Sequence, residues 1–183
     1  MLDFQVVVAA LSLLLVLVIG FLVLWFTIRT GVPPVPSSAR EIADVVALLK
    51  AADLPKCSRI YELGCGFGGL ALALARAFPE ATVVGLEISP LPAAIAWLRA
   101  RGEPRLTIHR VDYTRANISD ADAVTAYLMI GAAARLAPLL DQQLRPGTKV
   151  VASMFWFRDR SPTATKRQAA LYLWSGPPND NVS

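Results

Sequence analysis

The apolar positions of this 183-residue chain fall into two regimes. Residues 4–28, FQVVVAALSLLLVLVIGFLVLWFTI, carry no charge over 25 positions. As a helix they would be about 37 Å long, enough to cross a bilayer core of about 30 Å with some tilt. From Ser38 onward, short apolar runs alternate with amphipathic stretches. Ser38 followed by Arg40–Lys50, with Ile42, Val45, Val46, Leu48 and Leu49 apolar, predicts a capped helix. Strands are predicted at Ser58–Leu63, Thr82–Glu87, Leu106–Val111, Ala123–Leu128, Thr148–Phe155 and Ala169–Trp174. Helices are predicted at Phe67–Phe78, from a Ser89 cap and Pro90 through Leu98 to Gly102, and at Pro138–Leu144 before Arg145-Pro146-Gly147. Strands separated by helices imply right-handed crossovers and a mostly parallel sheet covered on both faces, an α/β architecture.

The apolar segment reads as a retained anchor. A cleaved signal peptide would want a basic start, a shorter apolar core and small residues at a cleavage site; here Asp3 precedes a long run. Arg29, Arg40, Lys50, Lys56 and Arg59 follow it, so the positive-inside rule predicts a single-pass protein with its C-terminal part on the cytoplasmic side. The predicted boundaries are 1–29 for the transmembrane anchor and 30–38 for a stiff Pro/Ser linker. Residues 39–175 form the folded domain and 176–183 a flexible tail.

Composition adds little that conflicts. A hydrophobic content of 55% and a mean hydropathy of +0.48 suit a chain with a membrane segment. The net charge of +4 is mild and no dense Lys/Arg run is interleaved with aromatics, so no nucleic-acid partner is expected. Two cysteines, Cys57 and Cys65, and one histidine, His109, give neither a disulfide framework nor metal-ligand spacing. Free thiols fit a reducing compartment.

The chemistry concentrates in 60-IYELGCGFGGLALALARAF-78. Gly64, Gly66 and Gly69 spell G-x-G-x-x-G, a dinucleotide fingerprint. Glu62, Gly64, Gly66 and Gly68 spell E-x-G-x-G-x-G, a signature of S-adenosylmethionine binding. Glycines between a strand and a helix let the chain turn sharply beside the helix's unpaired N–H groups, which suits a pyrophosphate or a carboxylate. Glu87, ending the second strand, can accept from both hydroxyls of a ribose, which both cofactors need. Asp112, in 110-RVDYT-114, can accept from the adenine amine, or it is a loop or cap residue. Glu62 ends a buried strand, where a carboxylate needs a cationic partner. S-adenosylmethionine offers an ammonium and a sulfonium; the alternative is a structural salt bridge. Little chain follows Asp112, so no second substrate domain of a dehydrogenase is expected. These three features favour the second spelling. Gly69 then becomes a small residue for helix–sheet packing, and Cys65 a spacer in the loop.

The ordered set YELGCGFG, VVGLEIS, RVDYT, AVTAYL and LRPGTKVVASMFWF resembles the class I S-adenosylmethionine-dependent methyltransferases, over about residues 40–175. With its N-terminal span and the AYL…LAPLL…LRPGTKVV segment, the chain resembles the membrane-anchored ATP synthase c-subunit lysine N-methyltransferase group. The resemblance implies a Rossmann-like methyltransferase fold behind one transmembrane helix, and S-adenosylmethionine as cofactor. It places Gly64 and Gly66 against the methionine part, Glu62 near its amino group, Glu87 at the ribose, Ile88 on the adenine and Asp112 at its rim. Cys65, Gly68 and Tyr113 complete the cofactor-binding candidates. The Asn/Asp-Pro-Pro-Tyr motif of many amine methyltransferases is replaced by Tyr127-Leu128-Met129-Ile130, which excludes close kinship with the adenine and glutamine methylators. Tyr127 is the catalytic candidate, with Trp156 and Phe155 or Phe157 expected over the same pocket; a packed core tyrosine is the alternative. The implied function is a membrane-anchored methyltransferase acting on a lysine of a membrane protein, without metal. The alternatives are methylation of a lipid or lipid-soluble small molecule, and a non-catalytic nucleotide-binding scaffold.

Overall fold

A computed structural model describes residues 4–30, 38–127 and 130–176. The chain divides into two units, Met1–Val35 and Pro36–Ser183. In the first, α1 (Phe4–Thr30) is a helix of 27 residues. Its window Phe4–Phe21 has a mean hydropathy of 2.7 and buries none of its surface. A helix apolar on every side, of about 40 Å, is long and apolar enough to cross a membrane. Most of the expected linker and tail lies outside the described residues.

The second unit begins with α2 (Ala39–Ala51), which starts where a capping box forms. The Ser38 hydroxyl accepts from the Glu41 N–H, and the Ser38 N–H donates to Glu41 Oε2 at 2.7 Å. There follow β1 (Arg59–Leu63), α3 (Gly69–Ala77), β2 (Thr82–Glu87), α4 (Pro90–Ala100) and β3 (Leu106–Arg110). After a 3-10 turn at Tyr113–Arg115 come β4 (Ala123–Tyr127), α5 (Ile130–Gln143), β5 (Lys149–Ser153), β6 (Ala164–Lys166) and β7 (Ala169–Leu173). The seven strands form one sheet in the order β3-β2-β1-β4-β5-β7-β6. The first five are parallel; β7 runs antiparallel to β5, and β6 to β7. The expected mostly parallel, helix-flanked sheet is therefore present.

Alternation along the strands sorts the core into two layers. Tyr61, Leu63, Val84, Leu86, Val124 and Val150 pack on Leu136, Leu140 and Leu144 of the α5 side. Ile60, Val83, Ile108 and Val151 pack on Val45, Leu49, Leu70, Leu74 and Ala96 from α2, α3 and α4. Asp44 is buried on α2, and its carboxylate takes Arg167 in a two-point pair of 2.6 and 2.8 Å. The Arg167 guanidinium holds the Asp44 carboxyl below the usual carboxylate range. This pair ties α2 to the β6–β7 turn.

Several expectations need correction. α5 starts eight residues before Pro138, which lies inside it rather than at its first turn. The proline forfeits one intrahelical bond, but Leu136, Leu140 and Leu144 recur at every fourth position and bury together, which keeps the segment helical. The short polar strand β6 was not predicted. Phe155 and Trp174 lie beyond the ends of β5 and β7. Ser89 occupies the N-cap position of α4 but makes no side-chain capping bond. Gly69 faces a helix, not the sheet: a Cβ there would meet Ile42 of α2 at an ordinary 3.6 Å.

Gly85, in the middle of β2, is a glycine that sequence reading passed over. A Cβ there would lie 2.7 Å from Ile108 Cδ1 and 2.9 Å from Cys65 Sγ. Cys65 therefore packs into the α3/α4 layer, directly over Gly85. Gly85→Ala should cost about 1–3 kcal/mol by overpacking, read as a lower urea midpoint with an unchanged slope. An unaltered midpoint would show that the layer yields freely at this point.

Candidate functional site

The C-terminal ends of β1, β2, β3 and β4 lie side by side, and the loops leaving them gather the predicted residues. β1 runs into Gly64, whose N–H and that of Cys65 both donate to the Leu86 carbonyl at 2.8 and 2.9 Å. The loop then turns through Gly66 and Gly68, both left-handed with φ of +52° and +74°. At Gly66 nothing lies within 4 Å of a built Cβ, so the backbone faces open space. At Gly68 a Cβ would meet the Ala96 Cβ at 2.9 Å. Gly68 is thus required by its backbone angle and by the close approach of α4. It also starts α3 without a side-chain cap.

Glu87 fastens this loop to β2. Its carboxylate accepts from the Gly66 N–H through Oε2 at 2.8 Å and from the Ser89 N–H through Oε1 at 2.7 Å. Only 7% of Glu87 is exposed. Each carboxylate oxygen has a further lone pair, so these bonds do not exhaust its capacity to accept. Ile88, next in the chain, is 43% exposed. Sequence reasoning saw Glu87 as a ligand group alone; the structure shows it also shaping the loop.

Glu62 lies beneath the loop with 2% of its surface exposed, and its Oε2 has no hydrogen-bond partner. Burial pushes its carboxyl up to about 8, against the pull of the Ala71 backbone amide in the first turn of α3; the nearby Glu87 adds to the rise. Among the described residues no Lys or Arg pairs with Glu62, so the structural salt bridge that would have explained it is not there. Burial likewise pushes the Cys65 thiol up, away from reactivity. Cys65 contributes its backbone to the loop and its side chain to the core.

Asp112 follows β3, two residues beyond Arg110, which pairs in register with Glu87. Its Oδ1 takes both the Thr114 N–H at 3.0 Å and the Thr114 hydroxyl at 2.8 Å, capping the 3-10 turn. The cap role envisaged for it is real, and both bonds fall on one oxygen. Tyr113 is half-buried against the α5-side layer, and burial raises its phenol above the ordinary value.

Tyr127 ends β4 one step beyond the Leu63↔Ala126 pair, which sets it beside Gly64. Its hydroxyl lies 3.4 Å from both carboxylate oxygens of Glu41, long for an O–H···O bond. Partial burial and then the Glu41 charge keep the phenol protonated above its usual range. Glu41, 86 residues away, was missed. Its sequence signal is the Ser38-x-x-Glu41 capping box, which says nothing about a distant tyrosine.

The aromatic expectation is corrected. Phe155 and Phe157 are buried, and Phe157 packs edge-on to Tyr172 and Trp174 at 5.1 and 5.2 Å. They are core residues. Trp156, between them, is 50% exposed. Leu128 and Met129 lie outside the described residues. No group of His, Cys, Asp and Glu able to hold a metal occurs among the described residues. A groove of about 390 Å³ lined by Arg59, Tyr61, Val84, Leu86, His109 and Val111 opens on the other face of the sheet and takes in none of the loop residues.

Comparison with known proteins fits this geometry. The family model of the ANTKMT methyltransferase domain matches residues 62–164. A protein-lysine N-methyltransferase of Saccharolobus islandicus is 31% identical over 134 residues, 72% of this chain and 83% of that protein. The adenine nucleotide translocase lysine N-methyltransferase of Mus musculus is 28% identical over 151 residues, 81% of this chain and 64% of that protein. Among solved structures, an RNA methyltransferase from Salinibacter ruber in complex with S-adenosyl-L-homocysteine superposes with a TM-score of 0.68 and 29% identity, over 79% of this chain and 95% of that one. A match that begins at Glu62 and runs through the glycine loop, Glu87, Asp112 and Tyr127 places the chain in the ANTKMT methyltransferase domain family.

Proposed function

We propose that this chain is an S-adenosylmethionine-dependent methyltransferase whose acceptor is a lysine amine of a protein in or at a membrane. The observation that carries the cofactor is Glu62: a buried carboxylate with an unpartnered oxygen, beneath a glycine loop that is open at Gly66. A cationic amino group answers an orphaned buried carboxylate, and a dinucleotide has none to offer there. Glu62 would receive the amino group and Glu87 the ribose hydroxyls. Ile88 and Asp112 would border the adenine, with Tyr113 alongside. Gly64, Cys65 and Gly66 would line the methionine part through their backbone, and Gly68 would hold the loop against α4. When bound, the cofactor supplies a methyl carbon on a sulfonium.

The chain's part is to orient the acceptor and exclude water. A lysine amine has an ordinary pKa of about 10.4 and attacks only when neutral, so the site must favour loss of its proton, which burial does. No dedicated strong base is needed. The lysine reading rests on the family and on the two lysine methyltransferase relatives. The membrane reading rests on α1 and on the translocase named for the mouse relative; the positive charges that follow α1 favour a catalytic unit on the cytoplasmic side. The proposed domain limits are an anchor at 1–29, a linker at 30–38, a methyltransferase domain at 39–175 and a tail beyond.

Titration of the chain with S-adenosylhomocysteine should show saturable binding, weakened at least about ten-fold by Glu87→Ala, which removes the ribose acceptor and both loop bonds together. Saturable NADH binding with no response to the sulfur nucleoside would falsify this reading.

Glu62 makes binding depend on pH. Its folded pKa of about 8 exceeds the ordinary 4.5, so between those values the folded chain holds a proton that the unfolded chain has released. Stability should therefore fall as pH rises through that window. An ammonium ligand pairs with the ionised form, so affinity for S-adenosylhomocysteine should rise from pH 6 toward 8 with release of a proton. Calorimetry in two buffers of different ionisation enthalpy reads this release, and Glu62→Gln should abolish both effects. A pH-independent affinity between 6 and 8 contradicts the assigned role.

Tritiated methyl transfer into a membrane fraction distinguishes the acceptors. Label is expected in protein and, after acid hydrolysis, in methyllysine. Recovery in lipid, or in RNA as the Salinibacter neighbour's name suggests for that protein, would overturn the lysine assignment.

A further inference from the structure

α2 presents two carboxylates near the sheet, and the structure treats them differently. Asp44 is buried and neutralised by Arg167. Glu41, one turn earlier and partly exposed, meets no Lys or Arg among the described residues. Its Oε2 is fixed by the Ser38 N–H at 2.7 Å, which orients the group. Among the described residues its Oε1 meets the Tyr127 hydroxyl alone, at a long 3.4 Å. Tyr127 itself is the last residue of β4, one position past the Leu63↔Ala126 pair, where the neighbouring strand runs into the loop that would carry the methyl donor. A phenol that donates toward a carboxylate keeps its lone pairs outward, as acceptors. The pair thus offers two acceptor oxygens, one of them charged, and no donor of its own to an incoming group. An ammonium, with three N–H donors, fits such a seat; an alcohol gains little from the charge, and a phosphate or carboxylate acceptor is repelled.

We infer that Glu41 and Tyr127 form the seat for the acceptor's ammonium group, with Glu41 selecting for a cationic acceptor from the N-terminal side of the site. The inference rests on the lysine reading above and adds the residues that recognise the lysine before transfer. Glu41 is a binding and positioning residue rather than a base: its charge holds the ammonium form and should act on KM more than on kcat.

The test uses the full chain in detergent micelles, tritiated S-adenosylmethionine and poly-L-lysine, with S-adenosylhomocysteine affinity measured separately by calorimetry. Glu41→Gln should raise KM for poly-L-lysine about ten-fold or more, change kcat less than about three-fold, and leave S-adenosylhomocysteine affinity within about two-fold. Tyr127→Phe should raise KM several-fold without touching α2, which keeps the inference testable if Glu41→Gln folds poorly. Ser38→Ala removes the serine half of the capping box but keeps the carboxylate, so it should lower the thermal midpoint and leave KM alone. An unchanged KM in either site variant, or an equal rise in Ser38→Ala, overturns the seat. Loss of S-adenosylhomocysteine binding by the unaltered chain would instead overturn the cofactor reading. Homocysteine-nucleoside binding with no label in poly-L-lysine would overturn the lysine reading on which the seat stands.

Discussion

The bond from the Gly66 N–H to the Glu87 carboxylate is the contact around which the loop edge of the sheet is arranged. β1 and β2 are already joined in register up to Leu63↔Leu86, and the Leu86 carbonyl extends that pairing to Gly64 and Cys65. Beyond it the chain must reverse into α3 without a side-chain cap. Glu87 supplies the missing anchor from the neighbouring strand, while its other oxygen starts the turn into α4 through Ser89. One carboxylate thus sets the entry of two helices. The left-handed angles at Gly66 and Gly68 are the backbone cost of bringing the loop within its reach, and the near contact of Gly68 with Ala96 fixes how closely α4 can follow. On the proposed reading the same group also meets the ribose, so loop shape and ligand recognition are not separable at this residue.

Three carboxyl groups at this edge lack an ionic partner among the described residues. Glu62, Glu87 and Glu41 come to the ends of β1 and β2 and the start of α2, and none makes an ion pair among the described residues. Elsewhere several carboxylates are paired: Asp44 with Arg167, Asp141 with Arg160, Asp122 with Arg145. Burying an uncompensated carboxylate costs stability, and Glu62 answers by holding its proton to about pH 8. On the proposed reading, the partners of these groups arrive from outside. Two cationic ligands, a donor with an ammonium and a sulfonium and an acceptor with an ammonium, are partners of that kind.

The sequence disclosed the parts of this arrangement that are local. The glycine spacing, the strand before it and Glu87 at the end of the next strand lie within one βαβ unit, so their juxtaposition follows from topology alone. Asp112 follows the third strand as its sequence position implies, but its cap of the 3-10 turn depends on Thr114 and is not fixed by local spacing. What was illegible is what depends on packing across the chain. Gly85 looks like any strand glycine until Cys65 and Ile108 are seen above it. Phe155 and Phe157 sit at a strand end in sequence, yet a short antiparallel hairpin carries Tyr172 and Trp174 over them and closes them into the core. α5 was cut short because proline was read as a helix start; three leucines at four-residue spacing outweigh one lost bond. Glu41 and Tyr127 are 86 residues apart and belong to elements that no local pattern connects.

An anionic seat raises a physical tension that bears on how the enzyme would work. A carboxylate beside an ammonium stabilises the charged form, whereas transfer needs the neutral amine. At about pH 7 an unperturbed lysine is neutral in fewer than about one molecule in a thousand. On the proposed seat, geometry relieves part of this conflict. Glu41 is only partly buried and already receives the Ser38 N–H, which weakens its hold on a second donor. Tyr127 ends β4 and reaches toward Glu41, so an amine seated at the strand end would face a neutral phenol, with the charge one group further away. Attraction then acts at range during capture, and desolvation acts at contact during transfer. Had the carboxylate occupied the tyrosine's position, capture would tighten and reaction would slow, because the ground state would gain more than the transition state.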